Sequence, residues 1–137
     1  MTAQKIIHDQ LFLRQKSTLA NKMDLPIAFD LRDTLVANQG RAAGLAANMI
    51  GQSKRIIAFY AGMLPLIMIN PQIIKRSGKY FAKEGCLSLS GERQALRYQR
   101  ITVTYQDLKL NKMTQEFTGF VAETIQHEVD HCNGILI

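Results

Sequence analysis

The string His127-Glu128-Val129-Asp130-His131 holds the densest set of reactive side chains in this chain of 137 residues. Residues four apart on an α-helix share one face, so both imidazoles can reach a single cation while Glu128 touches a water on that cation. Such a set is the chemistry of a hydrolytic metal site. The competing reading is a run of helix residues satisfied by local hydrogen bonds. Only six residues follow His131, and none is His, Asp or Glu, so a third ligand has to come from upstream.

The candidates are His8, Glu84, Cys86 and Glu123, with Cys132 next to the pair. Cys132 points about 100° around the helix from His131 and is a poor fellow ligand. Glu123 lies one turn before His127, but three ligands along one straight helix span about 12 Å, too far to share an ion. His8 sits in a charged stretch and reads as a surface histidine. Cys86 remains, inside Glu84-Gly85-Cys86-Leu87-Ser88, where glycine lets backbone approach closely and a thiolate would complete a Cys and two His set. The alternative for Cys86 is a small buried hydrophobe.

The elements that must hold these residues point to a single α+β domain over 1–137, without repeats or low-complexity tracts. Residues Gln4 to Leu19 are a candidate helix. Asp24 is an N-cap candidate before Pro26, with Ile27, Leu31 and Leu35 on one face and Asn38 and Gly40 as the stop. The small residues from Ala42 to Ala47 suit close backbone approach, as where a ligand enters. Strand character follows in Ile56 to Tyr60 and Leu66 to Ile69, ended by Gly62 and by Asn70-Pro71. Ser77-Gly78 reads as a hairpin turn between Ile73-Ile74 and Lys79-Tyr80-Phe81. Arg100 to Tyr105 alternates, and Met113 to Phe117 pairs with it across an Asp107 to Lys112 loop. Phe120 to Cys132 has the helical spacing of Val121, Ile125 and Val129, stopped by Asn133-Gly134, which places the two histidines on a helix packed against a sheet.

No apolar run approaches the roughly 18 residues of a membrane span, and the first residues hold no secretory core. A cytoplasmic location without membrane contact is the expectation. Two cysteines in such a protein are expected to be reduced, with a disulfide as the minor reading. The net charge of +6 permits nucleic-acid attraction, but the basic residues lack interleaved aromatics and read as a solvated surface, so no direct nucleic-acid binding is expected.

Three strings taken together, Gly44-Leu45-Ala46-Ala47, Glu84-Gly85-Cys86-Leu87-Ser88 and Gln126-His127-Glu128-Val129-Asp130-His131, resemble in order and spacing the three signature motifs of peptide deformylases. Leu31-Arg32-Asp33-Thr34-Leu35, Ile69-Asn70-Pro71 and Gly134-Ile135-Leu136 extend the resemblance from about residue 30 to the end; before that only Leu13-Arg14 matches. The resemblance implies a mixed α+β fold with antiparallel sheets packed around a C-terminal metal-binding helix. It implies an ion held by Cys86, His127 and His131 with one position left for water, and Fe(II) as the physiological metal. Thiolate and imidazole would equally accept Zn²⁺.

The implied reaction removes the N-formyl group from the formylmethionine of nascent polypeptides, so the implied partner is an N-formylated peptide. Glu128 would take the water's proton and return it to the departing amine, while the metal and the Leu87 N–H meet the oxyanion. Gly44, Gly85 and Arg93 would face the substrate.

Where the family has glutamine, this chain has Met49, and a thioether cannot donate to the oxyanion. Loss of one such donor costs about 10² to 10³ in turnover. Asn48 and Gln52 are the possible substitutes, although Asn48 is one residue off. The alternative expectation is therefore a metal-binding paralogue with weak, lost or altered amide hydrolysis, and a structural metal site with four protein ligands is a third reading. The C-terminal helical extension that some family members use at the ribosome is not seen, so ribosome docking is not inferred.

Overall fold

The computed structural model describes residues 3–137. One antiparallel sheet runs in sequence order, β1 (Gly44–Ala46), β2 (Ile56–Ala61), β3 (Leu64–Gly85), β4 (Glu92–Gln106) and β5 (Lys112–Thr118). Helices α1 (Gln10–Leu13), α2 (Leu25–Ala37) and α3 (Gly119–Cys132) complete the chain. This is the antiparallel α+β arrangement the motifs implied, with the histidine-bearing helix packed against β1, β2 and β4.

Helix α2 starts and stops where the sequence places it. Pro26 lies in its first turn, and Ala28, Leu31, Thr34 and Leu35 form its buried face. Asp24 precedes it without capping it, because the Asp24 carboxylate accepts from Asn21 N in the turn before. Asn38 ends the helix by donating its side-chain amide to Thr34 O at 2.8 Å.

The proposed helix from Gln4 to Leu19 is corrected to one turn. Its first residues lie extended across the body: Gln4 N donates to Thr34 Oγ1 and Ile7 N to Met49 O. Asp9 then caps α1 by accepting from Leu11 N and Phe12 N. Tertiary hydrogen bonds outweigh local helix propensity in this strap.

Two turn assignments also change. Asn70-Pro71 bends β3 without ending it: Asn70 takes a left-handed φ of 55°, and the pairing with β4 slips between Ile69 and Gln72. A bulge tolerates proline because a ladder hydrogen bond is already lost there. Ser77-Gly78 is no hairpin, since Ser77 pairs with Arg100 and Lys79 with Tyr98 in one unbroken register. Gly78 is required by positive φ and by closeness, as a Cβ there would sit 2.9 Å from Gln99 Cβ. The real hairpin joins Gly85 to Glu92 around the second motif, which makes β3 and β4 one long ribbon. The pairing of Tyr105 with Met113 and of Ile101 with Phe117 is as expected.

The core lies between the sheet and helices α2 and α3, with Leu31, Leu45, Ile57, Ile101 and Ile125 fully buried. Gln126 fastens α3 to β4 as a strand would: its side chain accepts from Tyr98 N and donates to Tyr98 O, both at 2.9 Å. No helix among the described residues is long and apolar enough to cross a membrane.

Candidate active site

The i, i+4 spacing on α3 brings His127 Nε2 and His131 Nε2 to 3.2 Å, and Cys86 Sγ lies 3.3 Å from His131 Nε2. All three candidate ligand atoms fall within 4.8 Å of one another. Ligands about 2.1 Å from a shared tetrahedral centre lie about 3.4 Å apart, so the spacing suits a common cation. Both cysteines are free, and Cys132 is a fully buried core residue whose thiol burial pushes up to about 12.

Cys86 is placed by the turn after β3. Ser88 N donates to Cys86 Sγ at 3.4 Å, and His8 on the N-terminal strap donates from Nδ1 to Ser88 O at 3.0 Å. His8 is therefore no ligand candidate but a tie onto the turn that carries one.

The orientation of His127 comes from Glu84. His127 Nδ1 donates to Glu84 Oε1 at 2.8 Å, which leaves Nε2 bare for a cation. Glu84 also takes a two-pronged bond from Arg97, at 2.9 and 2.7 Å, and Arg97 reaches Asp130 of α3 at 2.7 Å. Burial disfavours charge on Glu84, but its bonds to His127 and Arg97 outweigh that and hold it down at about 2. Next to it, Tyr80 donates to Glu123 Oε1 at 2.9 Å, and burial followed by Glu123 raises the phenol to about 12. On His127, burial opposes charge, yet Cys86, Glu84 and Glu128 together raise it to about 10 without a cation; burial and His127 push His131 to about 3.

Glu128 is buried, and its Oε1 has no partner among the described residues. Burial, the largest influence, raises it to about 7. A carboxyl balanced near neutrality can both take and return a proton.

These groups open onto a cleft of about 400 Å³. One wall is Arg41 to Gly44, the other Lys83 to Leu87, and the floor is α3 from Phe120 to Glu128. The structure thus brings Gly44, Gly85, Cys86, Leu87, His127 and Glu128 to one cleft, with His131 fully buried behind it. Arg93 does not line the cleft; it stands opposite Glu84 in the ribbon, with Nη1 buried and unpartnered. Met49 does not line it either. It is buried in a 3-10 turn over Ala47–Ile50, its sulfur accepting from Ala46 N at 3.4 Å. Asn48, a possible substitute donor, turns away and donates to His131 O at 2.9 Å.

Gly44 owes its identity to the helix. A Cβ there would lie 2.8 Å from Thr124 Cγ2 and 3.1 Å from both Ala58 O and Glu128 Cγ. Gly44→Ala is expected to lower unfolding free energy by about 1 to 3 kcal/mol, the usual cost of overpacking. Thr124→Ser, which keeps the bond to Phe120 O and removes the clashing methyl, is expected to restore part of it. Urea denaturation of the single and double variants measures both.

Compared with known proteins, the chain matches the polypeptide deformylase family over residues 4–137. The chain belongs to that family. It is 52% identical over 132 residues to a peptide deformylase of Clostridium beijerinckii, covering 96% of this chain and 97% of the relative. A peptide deformylase of Chlorobium luteolum is 35% identical over 134 residues, 90% of this chain and 70% of the other. Among solved structures, the Met-Ala-Ser-bound class I type b peptide deformylase of Acinetobacter baumannii aligns with TM-score 0.89 and 27% identity, over 99% of this chain and 97% of that one. The Thermotoga maritima peptide deformylase aligns with TM-score 0.88 and 29% identity, over 99% and 95%. Peptide deformylases are metalloenzymes, and the Cys86, His127 and His131 group is a possible site for the metal. The family assignment gives no support to the reading in which the reaction has been lost.

Proposed function

We propose that this chain removes the formyl group from the N-terminal formylmethionine of new polypeptides, using a divalent metal held by Cys86, His127 and His131, with Fe(II) as the native ion. The observation that carries the reading is the buried Glu128 carboxylate, with an unpartnered oxygen, beside three ligand atoms within 4.8 Å. The residues fit a cation: two ring nitrogens 3.2 Å apart are held together without one only by an unevenly shared proton, and a soft thiolate with two imidazoles suits Fe(II) or Zn²⁺. Three protein ligands leave a vertex for substrate or water, unlike the closed set of a structural site. When bound, the metal supplies Lewis acidity that activates a water and polarises the formyl oxygen.

The remaining work falls to the chain. Glu128 accepts the water's proton and delivers it to the departing amine, for which a carboxyl near 7 is suited. The Leu87 N–H, which has no acceptor among the described residues, is free to donate to the oxyanion. Gly85 has no neighbour that demands glycine, since a Cβ would meet only Gly91 O at 3.9 Å. The open space beside it accommodates a peptide backbone. The Acinetobacter baumannii relative is described as bound to Met-Ala-Ser, a peptide with the expected first residue. The reading is tested by formate release from formyl-Met-Ala-Ser with anaerobically Fe(II)-loaded protein. No formate above a chelated control overturns it.

Turnover is expected to fall short of the chemistry's ceiling because Met49 offers no donor. In Met49→Gln, the amide oxygen can replace sulfur as acceptor of Ala46 N–H, and the expectation requires the NH₂ to reach from behind Ala46 to the cleft wall at Gly44, a wall that Met49 itself does not line. The expected gain in kcat is at least about tenfold, a conservative share of what one oxyanion donor is worth. Steady-state kinetics on the formyl peptide measure it, and an unchanged kcat rules out this account of the defect.

A further inference from the structure

The cleft has a charge pattern that the reaction itself does not use. Its three carboxylates are engaged or withdrawn: Glu84 is bound to Arg97 and His127, Glu123 accepts from Tyr80, and Glu128 is buried at the reacting end. Its two cations, Arg41 and Lys83, are exposed, and neither has a salt-bridge partner among the described residues. They stand on opposite walls, Arg41 three residues before Gly44 and Lys83 three residues before Cys86. Lys83 lies on β3, where about 3.3 Å per extended residue puts it about 10 Å before Cys86, and Arg41, in the turn that follows α2, lines the opposite wall of the same cleft. The floor keeps the same measure, because Phe120 precedes His127 by seven residues, about 10 Å of helix. The strand and the helix therefore agree on the distance of the cleft mouth, which is lined by both cations and by an exposed phenylalanine.

We propose that Arg41 and Lys83 make this cleft select formyl peptides with an acidic side chain at the second or third residue. The inference rests on the deformylase reading above, which fixes the formyl group at the metal end. An extended peptide then advances about 10 Å in three residues, so its second and third side chains pass between the two cations. Exposed charges at a cleft mouth act on capture and on partner choice, so the effect belongs in kcat/KM and weakens with salt.

The test compares formyl-Met-Glu-Ala with formyl-Met-Lys-Ala, and formyl-Met-Ala-Glu with formyl-Met-Ala-Lys, in low salt and in about 1 M NaCl. In at least one pair the glutamate peptide is expected to lead in kcat/KM by about fivefold or more, shrinking toward parity at high salt. In Arg41→Glu/Lys83→Glu the ratio is expected to invert. The ratio within each variant is the readout, so a general loss of activity does not move it. Lys109→Glu makes the same type of charge reversal outside the cleft and is expected to keep the preference. Equal rates within both pairs overturn the proposal, as does a preference that survives in the double variant or disappears with Lys109→Glu. Hydrolysis of formyl-Met-Ala-Ser by the unaltered protein separates these outcomes from failure of the deformylase reading itself.

Discussion

Glu128→Gln, loaded anaerobically with Fe(II), is expected to release formate from a formyl-Met peptide about 10³-fold more slowly than the unaltered protein, within the range that general acid–base catalysis contributes. The amide keeps nearly the volume of the carboxylate, so the packing of the side chain against Gly44 persists while proton acceptance is lost. The metal ligands are untouched, and metal content measured by elemental analysis should equal that of the unaltered protein. KM should change little, because the carboxylate acts on the water and the leaving amine and binds neither wall of the cleft. Glu128→Ala is expected to show the same fall in kcat together with a packing loss of a few kcal/mol at a buried site. A rate equal to that of the unaltered protein in either variant would remove Glu128 from the reaction and leave the unpartnered oxygen without a purpose.

The histidine pair was legible because α-helical periodicity alone brings i and i+4 together, and nothing in the tertiary structure had to be known. Helix geometry sets aside Cys132 and Glu123 and a charged setting sets aside His8, which leaves Cys86 in the motif that also carries Glu84. From the sequence Glu84 reads only as a ligand candidate, whereas in the structure it orients His127 and joins Arg97 and Asp130. The reason lies in the strand register. With a turn at Ser77-Gly78, Glu84 and Arg97 have no common face. With the turn moved to the residues between Gly85 and Glu92, the pairs Tyr80 with Arg97, Ala82 with Ala95 and Glu84 with Arg93 all fall on the face toward α3. Gly78 reads as a turn in the sequence although it serves a close approach to Gln99, because glycine marks either inside a strand. In the same way the small residues before Met49 were legible as a place of close approach, but Gly44 admits Thr124 and Glu128 of the helix as well as lining the cleft.

That hidden network carries the second large expectation. Glu84→Ala is expected to lower unfolding free energy by about 3 to 5 kcal/mol, because it strands a guanidinium that is only 5% exposed with Asp130 as its single remaining carboxylate. It also frees His127 to rotate, so metal affinity should fall about 10- to 100-fold. Denaturant unfolding measures the first effect and competition with a chromogenic chelator the second. The two effects separate in Glu84→Leu/Arg97→Leu, where no buried charge is stranded and Asp130, at 25% side-chain exposure, is solvated. Stability is expected to return to near that of the unaltered protein or above it, whereas metal affinity is expected to stay low because no acceptor remains for His127 Nδ1. Recovery of both would make Glu84 a packing residue only. Recovery of stability alone identifies its carboxylate as the group that turns His127 toward the cation, and explains why a charged triad persists where an apolar one would fold at least as well.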